Sequence, residues 1–213
     1  MKTDDLMVML ATGVDAVDVK TPLRRYLIAV SCSTLVALLV MAIWLGVRPT
    51  LIGDLDLPMF WAKAGFCLAL VASGLLAVTR LGRPGVGLAR VPALLAVPLL
   101  AMWGLAVPDL LAASPGSRTT LMRGISWTVC PYYIAGLSAP IFVAIVWAMK
   151  GMAPTRLRLA GAAAGFASGA TGALVYTLHC PELAAPFLGI WYVLGMLIPT
   201  AIGALLGPRL LCW

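Results

Sequence analysis

Six long apolar stretches, separated by short polar segments, dominate the chain. About 20 consecutive apolar residues are needed for a helix to cross the hydrocarbon core of a bilayer. Backbone groups in that core must be satisfied within the segment, and the short alternating segments of a β-barrel do not occur here. The pattern therefore predicts an all-α integral membrane protein, a bundle of six transmembrane helices. The apolar stretches are Tyr26 to Val47, Pro58 to Val78, Val91 to Leu111, Ser126 to Met149, Leu157 to Leu178 and Ala185 to Leu206.

The composition excludes a soluble globular domain. Hydrophobic residues make up 62% of the 213 positions and charged residues only 11%, whereas soluble domains carry about 25% charged residues. The net charge of +7 does not indicate nucleic-acid binding, because the cations form short clusters between apolar stretches without interleaved aromatic residues. Such clusters are typical of the loops of membrane proteins.

The distribution of lysine and arginine predicts the orientation. With a cytoplasmic N-terminus, eleven of these residues lie inside and four outside, and a bias of that size indicates that both termini are cytoplasmic. We also expect no charged residue deep in any apolar stretch, which argues against an ion-coupled carrier. The inner set is Lys2, Lys20, Arg24, Arg25, Arg80, Arg83, Arg90, Lys150, Arg156, Arg158 and Arg209; the outer set is Arg48, Lys63, Arg118 and Arg123.

Small residues recur along the fifth apolar stretch at intervals of four. This spacing lets two helix backbones approach closely. It predicts tight packing inside the bundle, with a homodimer face as the alternative. The residues are Gly161, Ala162, Gly165, Ser168, Gly169 and Gly172.

The first 25 residues predict a short cytoplasmic helix, distinct from the transmembrane sensor domain of residues 26–213. Thr3 is a suitable N-cap, and carboxylates in the first turn suit the helix dipole. A helix this short has no core of its own, so it must lie on the membrane or bind a partner. The anionic membrane surface opposes its acidic start, which favours a partner protein. The expected partner-binding residues are Asp4, Asp5, Leu6, Met9 and Leu10.

Two cysteines are expected at the outer face, each followed by proline: Cys130 opens the fourth helix and Cys180 closes the fifth. Disulfides persist in oxidising compartments, and equal depth in the membrane makes a bridge between these two feasible. Three interpretations stay open, namely a disulfide or redox-sensing pair, a metal site and ordinary packing. Cys32 and Cys67 are expected to pack within helices.

A metal site would draw on neighbours of Cys180. The single histidine, His179, precedes it and Glu182 follows, while Met122 is a further soft ligand. Thiolate, imidazole and carboxylate together suit zinc, Cu(I) or another soft metal, although no cofactor is certain.

No catalytic constellation is visible. The alternative functions are a small membrane thiol-disulfide oxidoreductase, which usually carries a CxxC pair absent here, and a small-solute carrier.

Several motifs together resemble one family. They are Met1-Lys2-Thr3-Asp4-Asp5-Leu6, Arg24-Arg25, Trp127-Thr128-Val129-Cys130-Pro131, Leu178-His179-Cys180-Pro181-Glu182, Trp191-Tyr192 and Gly203 to Trp213. The motifs resemble those of the NrsF-type membrane anti-sigma factors of proteobacteria, in the same order and at the same places relative to the predicted helices. One departure is Leu211-Cys212-Trp213, where a basic residue would be expected before the final tryptophan.

The resemblance implies a function and a place in the cell. It implies a non-enzymatic regulator in the bacterial inner membrane that binds membrane lipid and an extracytoplasmic-function sigma factor, without binding nucleic acid directly. The sigma factor would be held around Asp4, Asp5 and Leu6. Cys130 and Cys180 would sense heavy metals or oxidants and trigger its release.

Overall fold

In the computed structural model, the described residues form six long helices, α1 to α6. The structure describes residues 3, 5, 7, 21–83, 85–152 and 154–212, and no strand occurs among them. Helix α1 is Thr21–Val40, extended by a π-helical segment, Met41–Leu45. Helices α2 to α5 are Pro58–Leu81, Val91–Ala112, Cys130–Lys150 and Leu157–Tyr176. Helix α6 runs through Ala185–Phe187, the π-helical Leu188–Tyr192 and Val193–Leu210. Two short helices, Leu51–Asp54 and Pro115–Arg123, lie in the connections.

All six long helices are long and apolar enough to cross a membrane, which confirms the predicted number of candidate spans. Their ends differ from the apolar stretches by a few residues. Helix α1 begins at Thr21, so the last residues of the predicted N-terminal segment, 21–25, belong to α1. Helix α4 begins only at Cys130, because Pro131 occupies its first turn, where proline needs no hydrogen-bond partner.

Consecutive helices run in opposite directions, so the bundle has two distinct ends. At the thiol end, Cys130 and Cys180 lie near the last turn of α1 and the first turns of α2 and α6. At the terminal end, Arg25 near the start of α1 donates a hydrogen bond to the Trp147 carbonyl near the end of α4, at 3.2 Å. Connections that are distant in sequence therefore meet at each end.

Helix α5 is the central element, and it packs against α2, α4 and α6. Most of its side chains are buried. A Cβ atom added at Gly161 would collide with the Gly203 carbonyl, and one at Gly165 would collide with the Pro199 carbonyl. The predicted close approach of helix backbones is therefore found between α5 and α6. Helix α6 occupies the face that was the alternative homodimer surface.

Two π-helical segments lie at the thiol end. One, Met41–Leu45, ends at Gly46, whose positive φ of 77° turns the chain out of α1. The other, Leu188–Tyr192, lies in the first turns of α6. π-helical turns are rare and frequently mark functional sites. These two place the Gly46 carbonyl and the Tyr192 ring beside the residues described next.

Candidate functional site

Cys130 and Cys180 lie together at the thiol end, and both are completely buried. Cys130 is the first residue of α4, and Cys180 lies in the loop between α5 and α6. The Cys130 thiol is within hydrogen-bonding reach of the Cys180 sulfur, and the Ser126 hydroxyl lies 4.0 Å from that sulfur. Both cysteines are free thiols. The structure thus brings together the two cysteines that the sequence placed at the same depth.

The backbone of Cys180 is held from three directions. Its N–H donates to the Tyr176 carbonyl at 3.0 Å, which continues the end of α5. Its carbonyl accepts from Lys63 Nζ at 2.9 Å and from Arg48 Nη1 at 2.8 Å. Charge-assisted hydrogen bonds are among the stronger ones in proteins, so two cations fix the loop that carries the thiol.

Lys63 takes a place in the site that the sequence did not indicate. It was expected near the outer end of its apolar stretch, and its side chain is completely buried there. Its ammonium also donates to the Glu182 carbonyl at 3.0 Å and lies 5.1 Å from the centre of the Tyr192 ring. Burial is tolerated because these carbonyls and the ring replace water. A lone cation inside an apolar stretch was the available signal.

Arg48 is the second buried cation, with a residue exposure of 6%. Its Nε lies 3.3 Å from Asp54 Oδ2, and its guanidinium faces the Phe60 ring at 5.4 Å. Asp54 therefore balances Arg48. Among the described residues, no carboxylate lies within salt-bridge distance of Lys63. Of the two buried cations, only Arg48 is therefore paired with a described carboxylate.

The surroundings of Cys180 favour its thiolate. The hydrogen bond from Cys130 and the positive charge of Lys63 lower the pKa of Cys180 to about 5, although burial acts in the opposite direction. A thiolate at neutral pH is the nucleophilic and metal-binding form of cysteine. Of the two thiols, Cys180 is therefore the one whose surroundings favour the thiolate.

Aromatic side chains enclose the thiol pair. Tyr176 and Tyr192 are fully buried with ring centres 5.9 Å apart, and His179 packs against Tyr176 at 5.6 Å. The Tyr192 hydroxyl is buried beside the Cys180 thiol. Neither tyrosine was expected from the sequence. The WY pair at 191–192 was noted only as part of a motif.

Cys67 is a third buried thiol close to the site. It follows Lys63 by four residues on α2, so both residues lie on the same face of the helix. The sequence suggested only a packing role, because nothing in it indicates which helix faces meet.

The other predicted metal ligands are engaged elsewhere. His179 Nδ1 lies 2.8 Å from the Gly46 carbonyl, and Glu182 Oε1 accepts the Ile125 N–H at 2.6 Å. Met122 is partly exposed, and its carbonyl accepts from Trp191. Within the described part of the chain, no three His, Cys, Asp or Glu side chains form a group that could hold a metal ion. Cys130 and Cys180 are the two predicted ligands that do meet.

The N-terminal partner-binding residues fall largely outside the described part of the chain. Asp4, Leu6, Met9 and Leu10 lie outside it. Asp5 is described, in helical conformation and exposed to solvent. An exposed carboxylate there suits a protein partner, and the assignment of this segment stays a prediction.

Comparison with known proteins identifies the family. A family model described as "Negative regulator of sigma F" matches residues 10–213. The "Probable anti-sigma-F factor NrsF" of Azospira oryzae is 51% identical over 213 residues, covering 100% of both chains. The "Anti-sigma-F factor NrsF" of Caulobacter vibrioides is 38% identical over 215 residues, again covering 100% of both. No solved structure matches the chain. With the whole chain shared at these identities, it belongs to the NrsF family of negative regulators of sigma F.

Proposed function

We propose that this protein is an inner-membrane anti-sigma factor whose thiol end senses chemical stress. Its N-terminal segment, residues 1–25, holds an extracytoplasmic-function sigma factor at the cytoplasmic surface. Reaction of Cys130 and Cys180 on the periplasmic side releases that sigma factor. Membership of the NrsF family and six helices able to cross a membrane support this proposal.

The proposed sensing role rests on one observation, the buried Cys130 and Cys180 pair beside Lys63. Structural cysteines are usually inert because burial in apolar surroundings raises their pKa. Here a thiol donor and an unpaired ammonium lie against Cys180 instead. A cysteine that is a thiolate at neutral pH inside a membrane protein fits a reactive role better than a role in packing.

With a peroxide, the chemistry balances as a two-electron oxidation. The Cys180 thiolate attacks a peroxide oxygen, breaks the O–O bond and becomes a sulfenic acid, while the other oxygen leaves as water or an alcohol after taking up a proton. The Cys130 thiol then attacks that sulfur, forming the disulfide and releasing water. The two thiols are oxidised and the peroxide is reduced.

A heavy metal is the second class of stimulus. Two thiolates suit a soft ion such as Cu(I), and binding would release the remaining thiol proton. Zinc usually takes four protein ligands in structural sites, more than the thiol pair provides, because His179 and Glu182 bond elsewhere.

The buried charge balance links the thiols to the helices. A disulfide removes the negative charge at Cys180 and leaves the Lys63 ammonium without its anion. A buried charge that loses its partner is strongly destabilising. Helix α2, which carries Lys63, then favours a different packing against the Cys180 loop. Because α2 extends to the terminal end, this shift reaches the region where the N-terminal segment joins the bundle.

Capture of the sigma factor by the full-length protein tests the proposed binding by residues 1–25. The wild-type protein, tagged at its C-terminus and solubilised in mild detergent, should capture one extracytoplasmic-function sigma factor from its host. Replacing Asp4, Asp5 and Leu6 together by alanine should abolish capture. Replacing the exposed Asp56 and Asp109 by alanine is the matched control and should leave capture unchanged.

Two outcomes would contradict the proposal. If the wild-type protein captures no sigma factor, the anti-sigma proposal is wrong. If the N-terminal variant captures as much as the control, the sigma factor binds somewhere other than residues 1–25.

A further inference from the structure

A groove opens between α1 and α2 at the terminal end, opposite the thiol site. Helix α1 packs against α4 and α5, whereas α2 packs against α3 and α5, and the space between the first two helices is left open at this end. The cavity there has a volume of about 420 Å³. It is lined by Tyr26, Leu76, Thr79, Arg80, Arg83, Val86 and Met152.

The groove changes character along its length. Its mouth carries two guanidinium groups, Arg80 and Arg83. Farther along the same two helices, a second cavity of about 90 Å³ shares Tyr26 and Thr79 with the first. The rest of its lining is almost wholly aliphatic: Leu27, Val30, Ser31, Leu75 and Val78. A cationic mouth that leads into an aliphatic groove matches a molecule with an anionic head and an apolar tail.

Tyr26 is the independent sign that a ligand belongs here. The residue is only 4% exposed, and its buried hydroxyl has no hydrogen-bond partner among the described residues. Buried hydroxyl groups are almost always paired, because leaving one unpaired is costly. This one lies beside Gly82, where an added Cβ would be 3.1 Å from it. It lies where both cavities meet, as a donor that no described residue engages.

The two arginines at the mouth are also available. Arg80 donates one long hydrogen bond, of 3.3 Å, to the Gly87 carbonyl. Within the described part of the chain, neither Arg80 nor Arg83 lies within salt-bridge distance of a carboxylate. By contrast, Arg25 at the same end is engaged with Trp147, by a hydrogen bond to its carbonyl and by stacking over its ring at 4.2 Å.

We propose that this groove is a binding site for an anionic phospholipid. The phosphate accepts hydrogen bonds from the Tyr26 hydroxyl and from the guanidinium groups of Arg80 and Arg83. An acyl chain follows the aliphatic groove past Val30 and Leu75. Basic pockets between membrane helices are suited to anionic headgroups, and arginine forks match phosphate oxygens.

The site goes beyond the sensing function and does not depend on it. Tyr26 directly follows the segment proposed to hold the sigma factor, so a bound lipid would fix the start of α1. The N-terminal segment would then leave the bundle from a defined point at the membrane surface.

Lipid binding by the full-length protein tests this proposal. The protein is purified in a neutral detergent and titrated with phosphatidylglycerol or phosphatidylcholine, and bound lipid is counted by native mass spectrometry. We expect phosphatidylglycerol to bind more tightly than phosphatidylcholine. Tyr26→Phe and Arg83→Gln should each weaken phosphatidylglycerol binding by roughly tenfold or more, the loss typical of one hydrogen bond to a charged group.

Two controls separate this site from general surface charge and from misfolding. Arg158→Gln makes the same charge change at an exposed position of the same end, outside the cavity, and should leave binding unchanged. Without lipid, Tyr26→Phe should unfold at the same temperature as the wild type or higher, because it removes an unpaired buried hydroxyl.

Three outcomes would overturn the proposal. The first is an equal loss of binding in Arg158→Gln, which would indicate unspecific attraction to the cationic end. The second is equal binding of the two lipids. The third is protection against thermal unfolding by inorganic phosphate that matches protection by phosphatidylglycerol, which would indicate a small-anion site. Each readout is independent of sigma-factor capture.

Discussion

At the scale of single residues, the thiol end holds two buried cations, Lys63 and Arg48. Lys63 is buried against two carbonyls and a tyrosine ring, and Arg48 reaches the same Cys180 carbonyl. Burying a charge costs several kcal/mol unless it is compensated. Asp54 compensates Arg48, and a thiolate at Cys180 is the group that would compensate Lys63. In the proposed function, the Cys180 thiolate and the Lys63 ammonium therefore stabilise each other.

The pH dependence of Cys180 modification follows from its low pKa. The thiolate is the reacting species, and a pKa of about 5 means that it predominates above that pH and is lost as the pH falls through it. We expect the rate with methyl methanethiosulfonate, resolved by peptide mass spectrometry, to be flat between about pH 6 and 8 and to fall roughly tenfold per unit well below pH 5. A rate that climbs steadily up to pH 9 would contradict an anionic Cys180.

Replacing Lys63 should shift that profile. Lys63→Met keeps an unbranched side chain, one atom shorter, but removes the charge, so the pH at which Cys180 loses its reactivity should rise by about one unit or more. Lys63→Arg should restore most of the wild-type profile. Lys150→Met, at an exposed position on the terminal end, is the matched control. If Lys63→Met changes the absolute rate but leaves the midpoint in place, Lys63 has only a structural role.

At the scale of elements, the sequence was a good guide to helices and a poor guide to their details. Each apolar stretch became one helix, because length and apolarity decide which segments can cross a bilayer. The π-helical segments Met41–Leu45 and Leu188–Tyr192 were not predicted. A shift in hydrogen-bond register has no signature in hydropathy. The glycine spacing of α5 was informative, since it records a contact between backbones.

The contact between α5 and α6 yields a stability prediction. Gly165→Ala would place a methyl group against the Pro199 carbonyl and the Thr200 Cα, so the helices must separate. We expect the free energy of unfolding to fall by about 1–3 kcal/mol, the usual cost of overpacking. The matched control is Gly136→Ala in α4, where an added Cβ meets nothing within 4 Å. It should be neutral or stabilising by up to about 1 kcal/mol.

Unfolding in mild detergent, followed by far-ultraviolet circular dichroism, gives both values under one condition. Equal stability of Gly165→Ala and Gly136→Ala would mean that α5 and α6 are not in backbone contact.

At the scale of the whole molecule, the sequence predicted which ends of the helices meet but not the contacts between them. Alternating helix directions placed Cys130 and Cys180 at one end, and the structure brings them together. The sequence showed a lone lysine inside an apolar stretch, but it did not show what Lys63 and Arg48 contact. Their partners are carbonyl groups of a loop more than a hundred residues away in sequence, and such partners leave no trace in side-chain composition.

The same alternation makes the orientation testable. Eleven inner cations against four outer ones predict that both termini are cytoplasmic. A fluorescent protein fused to the C-terminus should therefore be bright. Alkaline phosphatase should be active when fused after Arg118, in the short helix Pro115–Arg123, and inactive when fused to the C-terminus. The opposite pattern would place the thiol end in the cytoplasm and remove its exposure to periplasmic oxidants.

The most direct measurement is the release of the sigma factor from its purified complex with the full-length protein. The complex is treated with hydrogen peroxide, and bound sigma factor and the Cys130–Cys180 disulfide are quantified in the same samples. We expect release in step with disulfide formation in the wild type, and retention in Cys130→Ser and Cys180→Ser variants. Release from both variants, or retention by a wild-type protein that is fully disulfide-bonded, would contradict a thiol switch at this site.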